Sequence, residues 1–224
     1  MSALVNSTKR FLEECTTGLR ERIEWRAFLR RYHLPRSVAR PPWSMDDRDF
    51  EAIFDVARHY QATGRVSIVE LGSGVSTLIL ASVLPRVLED LDITSVDGEE
   101  SYARHAQEML RQHALDQYAK VSWVPYALSD DYAWFSKPKL GQVLSEKRVD
   151  ILIVDAPPGA SHPRARQPAI PFFLPYLKSR SIVMLHDVSR PDESLIAKEW
   201  KRYFRVCYQM KTPRGFAVFE GLNE

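Results

Sequence analysis

The most constraining stretch of this chain is a short β-rich run, Val66-Ser67-Ile68-Val69, that leads directly into Glu70-Leu71-Gly72-Ser73-Gly74-Val75-Ser76-Thr77. Two glycines one residue apart, between a strand and a helix expected over Thr77–Leu84, describe a tight strand-to-helix turn. In an open α/β sheet such a turn lies beyond the carboxyl end of a strand, where ligands bind. Bare backbone there lets a ligand approach, and the following helix offers unsatisfied N–H groups to it. Alone, the turn implies a ligand at a strand end and nothing more specific. A turn selected for backbone geometry would look the same.

The rest of the chain extends the alternation. Strands are expected at Asp92–Val96, Val121–Val124, Val149–Val154 and Ser181–Leu185, with helices at Glu99–Leu115 and Pro191–Tyr203. The run Val149-Asp150-Ile151-Leu152-Ile153-Val154 is almost wholly apolar, as a strand buried on both faces should be. Tyr102, Ala106, Met109 and Leu110 are expected on the inner side of one helix, and Leu195, Ile196 and Trp200 on that of the other. Two last strands, Phe204–Met210 and Gly215–Glu220, flank Lys211-Thr212-Pro213-Arg214 and read as a closing antiparallel hairpin. The pattern predicts an α/β fold: a doubly wound, mostly parallel, seven-stranded sheet in one domain over residues 44–224.

Residues 1–43 are expected to form an N-terminal helical extension. Its helix covers residues 8–32, with Phe11, Leu12, Leu19, Ile23, Ala27 and Phe28 as apolar positions. The proline-broken stretch from Leu34 to Trp43 reads as a linker crossing a surface, and Ser44 as the N-cap of the next helix. Residues 1–40 carry nine Lys/Arg against four Asp/Glu, an excess of +5 within a chain whose net charge is +2. A solvated face explains such an excess, and so does an acidic partner or nucleic acid. The extension could serve as a lid, a dimer contact or a substrate platform. No apolar run reaches the roughly 20 residues of a membrane span, and no secretory-type start is present. The two cysteines, Cys15 and Cys207, have no metal-type spacing, so a reducing cytoplasm is the expected setting.

Two ligands compete for the glycine turn. A dinucleotide site would want a third glycine or alanine where Thr77 stands. The pattern Glu70-Leu71-Gly72-Ser73-Gly74 instead resembles the E/D-x-G-x-G turn of class I methyltransferases, which bind S-adenosyl-L-methionine (SAM). That resemblance implies a Rossmann-like methyltransferase fold and a cofactor site at Glu70, Gly72, Ser73, Gly74, Ser76 and Thr77. It also implies an acidic residue on the ribose hydroxyls at the end of the second strand. Asp97 stands there, 25 residues beyond Gly72. The resemblance places Leu128 and Ser129 beside the adenine.

Two later segments, Asp155-Ala156-Pro157-Pro158-Gly159 and His186-Asp187-Val188-Ser189-Arg190, also follow predicted strands. In order with the Ser76-Thr77 turn, they resemble the glucuronoxylan O-methyltransferase-like branch. Asp155 and His186-Asp187 also resemble the cation-binding positions of catechol-type O-methyltransferases. These resemblances imply methylation of a small-molecule or saccharide hydroxyl, with His186, Asp187 and Asp155 as catalytic groups. Asp155 also belongs to the cofactor set, and Asp155 with Asp187 to a site for Mg²⁺ or Mn²⁺. Histidine, with an ordinary pKa near about 6.5, suits a base at neutral pH. The segment Ala156–Pro175, with six prolines, is expected to wall the acceptor pocket, where Arg164, Arg166 and Arg190 would meet an acidic acceptor. Two alternatives stay open: an RNA or protein methyltransferase using the basic segment, and a non-catalytic SAM-fold binding subunit. Against the first, Asp155-Ala156-Pro157-Pro158 lacks the aromatic residue that would stack on a flat base.

Overall fold

The strand Val66–Leu71 (β1) is buried at every residue, as is Val149–Val154 (β6), and this sets the centre of the sheet. The computed structural model describes residues 20–61, 64–128, 133–159 and 161–223. The chain divides into two compact units, residues 1–47 and 48–224.

In the first unit, residues 20–31 are helical (α1); residues 8–19 of the expected helix lie outside the described residues. The following segment folds back on α1. The Trp25 indole donates to the Val38 carbonyl at 3.0 Å, and Arg40 reaches Glu21 at 3.0 Å.

The second unit begins in Asp47–Arg58 (α2), whose buried face is Phe50, Ala52, Ile53, Phe54, Val56 and Ala57. The helix therefore starts three residues beyond Ser44, which is not its N-cap. After β1 come Val75–Val83 (α3), Leu91–Asp97 (β2), Glu100–Gln112 (α4) and Ala119–Trp123 (β3). An unanticipated insertion follows: a hairpin of Tyr126–Leu128 (β4) and Ala133–Phe135 (β5), then Lys137–Leu144 (α5). Ala169–Phe173 (α6) lies between β6 and Leu177–His186 (β7). The order closes with Pro191–Trp200 (α7), Phe204–Met210 (β8) and Phe216–Leu222 (β9).

Among the described residues the main sheet has seven strands in the order β3-β2-β1-β6-β7-β9-β8. The first five are parallel and β9 runs antiparallel to both β7 and β8, as the sequence predicts. The strand order reverses between β1 and β6, and a ligand crevice opens outside the carboxyl ends at such a switch point. Register brings Trp123, Asp97, Gly72, Asp155 and His186 to this edge: Asp97 pairs with Trp123, and the residues preceding Gly72, Asp155 and His186 pair with one another.

Side-chain direction departs from expectation at two places. Leu195 is 47% exposed while Ile196, Ala197 and Trp200 are buried, and Tyr102 is 53% exposed while Ala103, Ala106 and Leu110 are buried. Ala106, Leu110, Ile196 and Trp200 are buried as expected, so in each helix only one residue expected inward turns clearly outward. One continuous core joins Leu71, Val154 and Leu185 to Trp134, Phe173 and Trp200. Among the described residues no helix is long and apolar enough to cross a membrane.

Candidate active site

The glycine turn is built as a bracket between β1 and β2. Gly72 and Gly74 have φ of 103° and 143°, values that a side chain rarely adopts. A β-carbon added to Gly74 would meet nothing within 4 Å, so this backbone faces open space and not packed side chains. The Ser73 amide and hydroxyl both donate to Asp97 Oδ2, at 2.9 and 2.7 Å, and the Glu99 amide donates to Asp97 Oδ1 at 2.9 Å. These bonds lock the end of β2 to the turn. A carboxylate has about four acceptor positions and three are taken, which leaves one for a ribose hydroxyl and a second for its neighbour if the Ser73 hydroxyl turns away. The open backbone at Gly74 and this carboxylate fit the amino-acid and ribose parts of SAM.

Glu70 and Thr77 play a different part from the cofactor contact expected of them. Both are fully buried. Glu70 accepts from Thr77 at 2.6 Å and from Ser95 at 2.8 Å, while the Gly74 amide donates to Thr77. They brace the turn from beneath. Glu70 Oε1 has no hydrogen-bond partner among the described residues. Burial pushes this carboxyl up to about 7, against the pull of hydrogen bonds from Ser76, Thr77 and Ser95. Ser76 is likewise buried. On the adenine side, Leu128 lies in β4 and Ser129 lies outside the described residues. The sequence reading overlooked Trp123, which is exposed, pairs with Asp97 and donates its indole N–H to the Gly98 carbonyl at 3.1 Å.

At the ends of β6 and β7 the structure assembles a charged cluster. His186 is completely buried. Its Nδ1 lies 2.9 Å from Asp155 Oδ1, and its Nε2 lies 3.1 Å from Asp49 Oδ2 on α2. Burial works against a charged imidazole, but hydrogen bonds and charge from Asp155 and Asp49 win and raise His186 to about 10. With a carboxylate on each ring nitrogen and no exposed surface, neither nitrogen of His186 is open to an acceptor, whereas the sequence gives it the role of base. Burial also acts to raise Asp155, yet the charges of His186 and Arg166 hold it below the ordinary carboxylate range. The Asp155 side chain is 23% exposed, whereas those of His186 and Asp187 are 0% and 3%, so Asp155 is the member of this triad that solvent reaches.

Asp187 follows β7 in a left-handed conformation, φ 65°, which aspartate tolerates better than most residues. Three guanidinium groups converge on it: Arg190 at 2.9 Å, Arg166 at 3.2 Å and Arg214 at 3.4 Å. Arg166 is buried, where sequence placed it in an acceptor pocket. It also lies 3.1 Å from Asp155 and donates to the Pro157 and His186 carbonyls. Asp155, His186 and Asp187 offer ligand atoms within 4.8 Å of one another, a spacing that admits a cation. Arg166 nonetheless stands between the two carboxylates, so the donor set does not fit Mg²⁺ or Mn²⁺. Arg190 and Arg214 are partly exposed at the rim. Arg164 lies elsewhere. It pairs with Glu199 and lines an open groove of about 790 Å³ with Lys137, His162, Phe172 and Tyr176, which none of the cluster residues enters. Asp49 and Arg214 were invisible to sequence reasoning because neither sits in a motif.

Comparison with known proteins agrees with this architecture. The profile of a methyltransferase-domain family matches residues 69–188. No curated protein sequence matches the chain. A SAH-bound methyltransferase from Podospora anserina superposes with a TM-score of 0.63 at 13% identity, over 88% of each chain. The O-methyltransferase TomG from Streptomyces achromogenes, in complex with SAM, gives 0.59 at 15% identity, over 91% of this chain and 90% of that one. An O-methyltransferase from Bacillus cereus in complex with SAH gives 0.56 at 16%, over 88% and 90%. With more than half of its residues inside the family profile and a seven-stranded sheet of the matching topology, the chain belongs to the methyltransferase-domain family and is a class I SAM-dependent methyltransferase.

Proposed function

We propose that the protein transfers a methyl group from SAM to a hydroxyl of a small-molecule or saccharide acceptor, with Asp155 receiving the hydroxyl proton. The observation that carries this reading is Asp155 itself, an ionised, solvent-reached carboxylate one strand away from the glycine turn. Its amide donates to the Leu71 carbonyl at 3.0 Å, and a β-carbon added to Gly72 would come within 3.6 Å of the Asp155–Ala156 backbone. Bound SAM supplies an electrophilic methyl on a sulfonium, displaced in line to leave neutral S-adenosylhomocysteine. The turn residues Gly72–Gly74 and Asp97 would hold the amino-acid and ribose ends, fixing the donor against Asp155. An acceptor oxygen becomes strongly acidic as it gains the methyl group, so a carboxylate of depressed pKa suffices to take its proton late in the transfer. His186 and Asp49 keep Asp155 charged and aimed. Arg190 and Arg214, at the rim, are the basic groups available to orient the acceptor. O-methyltransferases among the structural neighbours support the same reaction class. The wide spacing of the cysteines supports a reducing, cytoplasmic setting.

The test is product mass spectrometry after incubating the protein and SAM with sugars, phenols and RNA, alongside Asp155→Asn. A methylated hydroxyl product is expected, with kcat lowered roughly 100- to 10,000-fold in the variant. Methylation confined to RNA, or an Asp155→Asn enzyme with wild-type kcat, would overturn the reading.

A further inference from the structure

We propose that Arg166 is the resident cation of this site: its guanidinium holds the position between Asp155 and Asp187 that a divalent ion would occupy, and the site works without one. The inference rests on the reading of the cluster as the methyl-transfer centre. Arg166 Nη2 lies 3.1 Å from Asp155 Oδ1 and 3.2 Å from Asp187 Oδ2, so an ion bridging these carboxylates would share both oxygens with a positive charge. The guanidinium cannot readily swing aside. Its Nε donates to the Pro157 carbonyl at 3.1 Å and its Nη1 to the His186 carbonyl at 3.0 Å, and the side chain is 3% exposed. Leaving would take a donor from two backbone carbonyls and an ion-pair partner from each of the two carboxylates in a place largely closed to water.

The surroundings of Asp187 point the same way: Arg190 at 2.9 Å and Arg214 at 3.4 Å join Arg166 there, so an ion at Asp187 would meet three guanidinium groups. Arginine also differs from a metal in what it gives the reaction. Its planar fork sets the separation and tilt of the two carboxylates, but it offers no open coordination position to an acceptor oxygen. Arg166 is therefore a positioning residue, and proton acceptance falls to Asp155 without Lewis-acid help.

The experiment is Mn²⁺ titration followed by electron paramagnetic resonance on the wild-type protein, Arg166→Met and Asp187→Asn, with kcat, KM and SAM affinity measured in parallel. The wild type is expected to show no saturable Mn²⁺ binding and to keep its kcat after exhaustive chelation. Arg166→Met should gain one saturable Mn²⁺ and lose at least about 100-fold in kcat, the scale of a misplaced reacting group, with SAM affinity unchanged. If that variant fails to fold, Arg166→Gln, whose amide can still donate to the carbonyls, is read in the same way. Saturable Mn²⁺ on the wild type that disappears in Asp187→Asn would overturn the proposal and leave the O-methylation reading standing. A folded Arg166→Met that takes up no Mn²⁺ would also overturn it. Loss of the O-methylation reading would show as missing hydroxyl products and leave the Mn²⁺ titrations unaffected.

Discussion

Replacing Asp49 by asparagine tests how the cluster is held together. The asparagine can still accept from His186 Nε2, now at 3.1 Å from Asp49 Oδ2, but carries no charge. In the wild type His186 is raised from 6.5 to about 10, with Asp155 contributing more than Asp49. At about 1.36 kcal/mol per unit, the shift corresponds to on the order of 5 kcal/mol of linked stability. Because the folded value lies above the unfolded one, this stabilisation is complete below about pH 6.5 and is lost as pH rises through about 10. Asp49 holds the smaller share, so Asp49→Asn should cost roughly 1–2 kcal/mol at neutral pH, the scale of a hydrogen bond to a charged group. Urea unfolding monitored by tryptophan fluorescence at a series of pH values measures it. The deficit should be largest at pH 6–7 and shrink toward pH 10, where the wild type also loses its imidazolium. NMR should show the His186 ring titrating at lower pH in the variant. A deficit that is the same at pH 6 and pH 10, or an unchanged ring titration, would refute the claim that Asp49 stabilises a charged histidine.

Other expectations concern the cofactor end. Asp97→Ala removes the acceptor for Ser73 and for a ribose diol, and calorimetry should find SAM affinity weakened roughly 10- to 100-fold, the equivalent of one or two charge-assisted hydrogen bonds. Wild-type affinity in that variant would remove Asp97 from the site. Glu70 is raised from 4.5 to about 7 by burial, so its ionisation opposes folding progressively as pH rises from about 4.5 to 7. Glu70→Gln, which keeps an acceptor for Thr77 and Ser95, should therefore match the wild type near pH 4.5 and exceed it by up to about 3 kcal/mol at pH 8. Equal stability at both pH values would show that Glu70 is not a strained buried acid.

The fold was legible because its determinants are local. A strand buried on both faces is apolar along most of its length, as β6 is apart from Asp150; a strand-to-helix turn with positive φ favours glycine, and Gly72 and Gly74 stand there. Asp97 and His186 end their strands and Asp155 follows its own immediately, so register alone delivers them to one edge. What the sequence misassigned were the roles of side chains whose partners come from far along the chain. Asp49 meets His186 across 137 residues and, with Asp155 on the other nitrogen, encloses the prospective base. Arg166 reads as a loop arginine until folding closes Pro157, His186 and Asp187 around it. The β4–β5 hairpin and α5 were missed because each is short and gains its stability from packing, through Trp134, Phe135 and Leu140, more than from periodicity. The sequence thus determined where a SAM-binding edge forms and which residues reach it. The tertiary structure decided which of them are charged, which are open to an acceptor and which merely hold the others. Protonation and accessibility depend on groups gathered from distant parts of the chain, and no local pattern encodes that gathering.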